Sequence, residues 1–229
     1  MDERDLSPGA FLDLSKSIAA PIFAGLEYPW QAIPLIAAFV EFLLADPPEG
    51  YELVAERVIA HRGARISSKA ELLGPAVIGK GAEIGPGAYL RASVIVGDFA
   101  VAGNSTELKN CVLFEKAQAP HFNYVGDSIM GYASHIGAGA VLSNQRSDKG
   151  EVVVHGPGGL AIMTALAKFG AVLGDRVELG CNAVCFPGTL IGRESTVYPL
   201  CPVRGVVPAL SIVKAMGLIV AKDGRAGRE

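Results

Sequence analysis

From Val58 onward, aliphatic residues recur every six positions, each followed four residues later by a small one. The rhythm is clearest in Ile78-Gly-Lys-Gly-Ala-Glu, Ile84-Gly-Pro-Gly-Ala-Tyr and Val96-Gly-Asp-Phe-Ala-Val. It returns in Leu179-Gly-Cys-Asn-Ala-Val, Cys185-Phe-Pro-Gly-Thr-Leu, Ile191-Gly-Arg-Glu-Ser-Thr and Val197-Tyr-Pro-Leu-Cys-Pro. Each unit supplies one short flat strand and one turn. Three units close a triangular coil, with the leading aliphatics stacked inward and small residues filling the corners. Parallel crossovers are ordinarily right-handed, and a hexapeptide pattern is the signature of the exception. The expected fold is therefore mainly β, a left-handed parallel β-helix over residues 58–214.

The flanks carry no such rhythm. Prolines at 21, 29, 34, 47 and 48 cut residues 1–57 into short pieces, expected to be mostly helical. The piece from Ile33 to Leu44 is apolar almost all round, which predicts burial against the main domain or another subunit. Residues 215–229 are expected to form a C-terminal tail. Two interruptions break the repeat. The phase slips between Ala119 and Asp127. A longer insertion near 145–171 contains polar and glycine-rich turns and a helix-compatible Leu160–Lys168, so it is expected to be a loop or helix.

Composition narrows the function classes. The 28 glycines and 7% aromatic residues suit tight turns around a core of small aliphatic side chains. A net charge of −3 and a pI near 5.8 give no basic field for nucleic acid or an anionic membrane. The longest apolar stretch, Ile33 to Ala45, falls short of the ~20 residues of a membrane span. The start, Met-Asp-Glu-Arg-Asp, lacks the basic-then-apolar order of a secretory signal, so the expected location is cytoplasmic. Cys111, Cys181, Cys185 and Cys201 form no CxxC pair and are expected to be reduced. Cys185 takes a leading position and Cys201 a corner, as small core residues do.

Polar groups concentrate between residues 91 and 144: Arg91, Asn104, Glu107, Lys109, His121, Asn123, Tyr124, Asp127, His135 and Asn144. Within this stretch, Asn104-Ser-Thr-Glu-Leu-Lys109, Pro120-His-Phe-Asn-Tyr-Val-Gly-Asp127 and Ile136-Gly-Ala-Gly-Ala-Val-Leu-Ser-Asn144 resemble the acetyltransferase half of bifunctional N-acetylglucosamine-1-phosphate uridyltransferase/glucosamine-1-phosphate acetyltransferase. They are similar too to the C-terminal β-helices of sugar-1-phosphate nucleotidylyltransferases. The resemblance spans about Arg91 to Lys214. It implies an acyl-coenzyme A dependent N-acyltransferase of the hexapeptide-repeat type, working as a homotrimer on an amino-sugar phosphate or a nucleotide amino sugar, with acetyl-coenzyme A as cosubstrate.

The same resemblance distributes roles. His121 matches the general base, a fitting group because an amine must shed a proton as it attacks a thioester, and Asn144 matches an asparagine beside the reacting groups. Arg91, Lys109 and Tyr124 match sugar-phosphate contacts, the two cations offering charge-assisted bonds. His135 stands where the family has a sugar-binding asparagine. The backbone around Ala138 matches the proposed oxyanion donor, and Ala138, Cys181 and Lys214 fall to the coenzyme. No metal is implied. Departures from the family pattern at His135, at Gln145 and in the insertion leave a second function open, a non-catalytic nucleotide-sugar or sugar-phosphate binding partner of a nucleotidyltransferase. No Gly-rich nucleotide loop opens residues 1–57, which argues against nucleotidyl transfer by this chain alone. A zinc hydrolyase on the same fold would need three converging histidines. His61, His121, His135 and His155 include no closely spaced pair.

Overall fold

The computed structural model describes residues 5–222. A parallel β-solenoid forms its body, the fold class that the repeat predicts. Val58 pairs with Ala76 and Ala76 with Val94, each one coil of three hexapeptides further on. Two further ladders repeat this step, from Arg65 through Glu83 to Val101 and from Glu71 through Tyr89 to Glu107. These ladders make three flat faces, called here the first (from Val58), second (from Arg65) and third (from Glu71). Strands of two to four residues suffice, because each is hydrogen-bonded to the coils above and below. Inside, Ile78, Ile84, Leu90, Val96, Leu108, Leu113, Val125, Ile136 and Leu179 from the three faces meet in one buried core, with Ala82, Ala88, Ala100, Ala117, Ala140 and Ala183 packed among them.

One corner positions the candidate site. Between the third and first faces, Ala92 and Ser93 turn one coil together, with φ of 54° and 57°. In the next two coils Asn110 and Asp127 each turn it alone, with φ of 47° and 45°. Short polar residues tolerate this left-handed conformation better than other side chains. The register shortens by one residue accordingly, Val94 pairing with Cys111 and Val112 with Ile129.

The first face is apolar on both sides. Its outward residues Ile59, Val77, Ile95, Val112, Ile129, Val172 and Leu190 are buried under Leu12, Phe23, Trp30, Ile33, Ile36, Val40 and Leu43. Residues 5–45 thus run as a strap along the solenoid. Asp175 pins one end: its carboxylate accepts the N–H groups of Asp13 (2.7 Å) and Tyr132 (2.9 Å), and its own N–H donates to Phe11. Helix Ile36–Ala45 packs at the other end, over the strand Tyr89–Val96 and its neighbours.

Residues 5–57 are largely helical, with one α-helix of ten residues, one of four, and several 3-10 turns; they end in a strand, Tyr51–Ala55, antiparallel to Val58–His61. One expectation needs correction. The insertion holds no helix at Leu160–Lys168. Instead Val153–His155 and Ala161–Met163 form an antiparallel hairpin around Gly158 and Gly159, both at positive φ. Burial overrides local propensity here: Val152 and Val154 enter the apolar cluster under the strap, with Ile162 and Leu166 packed against it. At the C-terminus, Ile219–Ala221 pairs antiparallel with Ser211–Val213, and residues 223–229 of the expected tail lie outside the described residues. No described helix is long and apolar enough to cross a membrane.

Candidate functional site

Outward-pointing residues of the third face bring Arg91, Lys109 and Tyr124 together. Arg91 pairs in register with Lys109 on the adjacent coil, and Glu107 with Tyr124. Arg91 Nε donates to Glu107 Oε1 at 2.7 Å, and this bond holds the guanidinium pKa above its ordinary value. Its terminal amino groups make no hydrogen bond among the described residues.

Asp127, 4% exposed, is the hub of the cluster. Its oxygens accept two bonds from Lys109 Nζ (2.7 and 2.9 Å), one from Asn110 Nδ2 (2.9 Å) and a short one from Asn144 Nδ2. A buried carboxylate is tolerable only with such compensation. Asn110, Asp127 and Asn144 meet because they occupy the same corner of three successive coils. Asn144 also donates to Tyr124 Oη at 3.1 Å, leaving the phenol hydrogen free to donate outward. Burial first, then the charges of Glu107 and Asp127, raises the Tyr124 pKa, so the phenol stays protonated at neutral pH. The ring is folded across Gly126, where a Cβ would come within 2.5 Å of Tyr124 Oη.

His121 lies at the end of the second face, one turn before Tyr124. Its backbone N–H donates to Asn123 Oδ1 at 3.0 Å, and Asn123 is itself anchored on the carbonyls of Gly137 and Ala140. The imidazole is exposed and makes no hydrogen bond among the described residues. On the following coils the same corner holds Ala138 and then Cys181, tied by N–H bonds from Gly139 to His121 O and from Asn182 to Ala138 O. Gly137 donates its N–H to Leu179, and the N–H of Ala138 has no acceptor among the described residues. Lys214 directly follows the last parallel rung of this face, which ends at Val213. His121, Ala138, Cys181 and Lys214 therefore line one edge of the solenoid.

His135 is not brought to that edge. It pairs with Gln118 at the opposite end of the second face, where its Nδ1 lies 3.0 Å from Glu178 Oε2. Sequence reasoning gave no role to Asp127 or Asn110. The signal was their equal spacing with Asn144, which matches the shortened coil. Of the cysteines, Cys181 is exposed, whereas burial pushes the Cys185 thiol up to about 12 and raises that of buried Cys111 further. Among the described residues no group of three or more His, Cys, Asp or Glu side chains is placed to hold a metal ion.

Comparison with known proteins bears out the sequence resemblance. The family model described as GMPPB C-terminal domain matches residues 72–199. The chain is 34% identical over 140 residues to the bifunctional protein GlmU of Methanococcus vannielii, covering 61% of this chain and 33% of that protein. It is 39% identical over 115 residues to the bifunctional sugar-1-phosphate nucleotidylyltransferase/acetyltransferase of Sulfurisphaera tokodaii, covering 50% of this chain and 28% of that one. The chain thus spans about a third of the length of the curated relatives it matches. Among solved structures, PerB from Caulobacter crescentus, in complex with CoA and GDP-perosamine, aligns with a TM-score of 0.38 at 19% identity, covering 72% of this chain and 57% of that one.

Proposed function

The chain belongs to the GMPPB C-terminal domain family, and from that premise we propose that it is an acyl-coenzyme A dependent N-acyltransferase acting on an amino-sugar phosphate or nucleotide amino sugar. One observation carries the reading. The exposed imidazole of His121 stands between a polar cluster suited to a phosphorylated sugar and an edge suited to a thioester. On the cluster side, Arg91 offers its terminal N–H groups to a phosphoryl oxygen and Tyr124 a hydroxyl to the sugar. Lys109 and Asn144 hold Asp127, which fixes Asn144 and through it Tyr124.

On the edge side, the carbonyl to be attacked sits against Ala138, whose N–H is free to meet the oxygen as it gains charge. His121 takes the proton the amine releases while its nitrogen bonds to the acyl carbon. The departing coenzyme sulfur leaves as a thiol once it has received a proton. Cys181 and Lys214 extend the same edge as coenzyme contacts. His135, on the far edge, serves this site only from a neighbouring copy, which fits a homotrimer. Four free cysteines suit a reducing compartment, the cytoplasm.

A second reading rests on Glu107 and Asp127, which already neutralise Arg91 and Lys109. A fold that satisfies its own cations in this way suits a regulatory sugar-phosphate binding partner of a nucleotidyltransferase. Thiol release from acetyl-coenzyme A, with glucosamine 1-phosphate and a panel of other amino sugars as acceptors, separates the two. Turnover that drops at least 100-fold in His121→Ala is the expected result, general-base catalysis being worth 10²–10⁴-fold. Silence across the panel from a protein that still binds the sugar phosphate would establish the binding reading instead.

A further inference from the structure

The outward column of the third face continues past the candidate site. Coil by coil it runs Arg91, Lys109, Gly126, Ser143, Phe186, Arg204. With neighbouring strands ~4.8 Å apart, Arg204 lies about 19 Å beyond Lys109. Gly126 and Ser143 form a low floor between them. Over the far half of this column hangs the inserted hairpin, bordering an open cleft of about 400 Å³.

That cleft has its own chemistry. Arg204 Nη2 lies 3.2 Å from His155 Nε2, and a guanidinium has only donors, so the imidazole nitrogen accepts. Arg204 has no carboxylate within ion-pair range among the described residues, and its other N–H groups remain available. Arg146, across the cleft, is held by Asp148 through bonds of 2.9 and 2.6 Å. Phe186 is 46% exposed beside Arg204 and lines the cleft. An unneutralised guanidinium one strand from an exposed aromatic ring, with the Ser143 hydroxyl beside it, matches a phosphoryl group attached to a flat base.

The roof is fixed rather than loose. The first hairpin strand crosses Gly188 and Gly205, at φ of 81° and 77°. A Cβ at these positions would stand 2.8 Å from Val153 O and 2.4 Å from His155 O.

From this geometry we infer that the cleft beneath the hairpin is a subsite for a nucleoside diphosphate, with the base on Phe186 and a phosphoryl group on Arg204. Resting on the transferase reading, the inference deepens it: the nucleotide of a nucleotide-linked amino sugar is one source of this ligand. A second source of the same chemistry is the adenosine diphosphate end of coenzyme A.

Calorimetric titration of the intact chain with UDP, GDP, ADP and pyrophosphate tests it. Each nucleotide that binds is expected to bind at least tenfold more weakly to Arg204→Ala and to Phe186→Ala. Pyrophosphate is expected to lose affinity only in Arg204→Ala. Arg204→Lys, which keeps the charge and disturbs packing least, should be intermediate, and unchanged melting temperatures show that the variants fold. In turnover, Arg204→Ala raising the KM of a nucleotide-linked amino sugar assigns the subsite to the acceptor, whereas raising the KM of acetyl-coenzyme A assigns it to the coenzyme. Absence of binding by all three nucleotides, or binding indifferent to both alanine variants, overturns the inference. Transfer to glucosamine 1-phosphate that survives in Arg204→Ala while no nucleotide binds would remove this subsite and leave the transferase reading standing. Nucleotide binding without any thiol release would do the reverse.

Discussion

Asp127 joins two fates of the same corner, stability and substrate positioning. Its carboxylate is buried with Lys109, whose side chain is 17% exposed, so truncating Asp127 leaves a nearly enclosed ammonium without its counter-charge. Removing one partner of a buried pair costs about 3–5 kcal/mol, and Asp127→Ala is expected to lose that much in urea denaturation. A loss below about 1 kcal/mol would class the pair with exposed surface bridges and remove its role as hub. Activity should fall further than stability in this variant, because Asn144 and Tyr124 lose their common anchor. Individual site residues such as His121 and Tyr124 were legible through the family resemblance of the segments that carry them. The hub was not, because contacts between Asn110, Asp127 and Asn144 depend on a coil one residue shorter than the repeat. The slip is visible in the sequence between Ala119 and Asp127, yet its structural origin lies at Asn110, where one left-handed residue replaces the pair Ala92 and Ser93.

Among the elements, legibility followed the period. Hexapeptides gave the strands and corners directly, since an inward aliphatic every sixth residue has few other uses. The insertion carried no period, and alanines at 161, 165 and 167 favour a helix locally. What decides for a hairpin is nonlocal: Val152 and Val154 must be buried on one side, Gly188 and Gly205 accept the strand on the other, and Thr164 Oγ1 closes the pair onto Val152 O at 2.7 Å. Gly205→Ala tests this docking. At positive φ and with no room for a Cβ, the substitution is expected to cost about 1–3 kcal/mol, and the loss should appear as faster amide exchange in Val153–His155 and Ala161–Met163 while the solenoid coils keep their protection. Uniform acceleration across all coils would mean that hairpin and solenoid open as one unit.

At the scale of the whole molecule, the strap decides which surfaces remain for partners. The outward aliphatics on the first face from Ile59 to Leu190 are buried in one cluster with residues of the strap and with Val152, Val154 and Phe169, so in the proposed homotrimer the second and third faces and their shared edge are the surfaces left for contact. That is also the edge carrying His121, Ala138, Cys181 and Lys214, which is why assembly and catalysis are coupled in the proposed function. Trp30 is central to the strap: 1% exposed, stacked on Tyr28 and packed against Phe169 at a centroid distance of 6.0 Å. Trp30→Ala removes this wedge and is expected to cost about 3–5 kcal/mol. If the strap only shields the first face, the variant should melt earlier yet keep its native mass by light scattering at low temperature, since no trimer contact has been touched. Dissociation to single chains at a temperature where circular dichroism still reports folded solenoid would show instead that the strap itself holds the copies together, and the second and third faces would lose their claim as the interface.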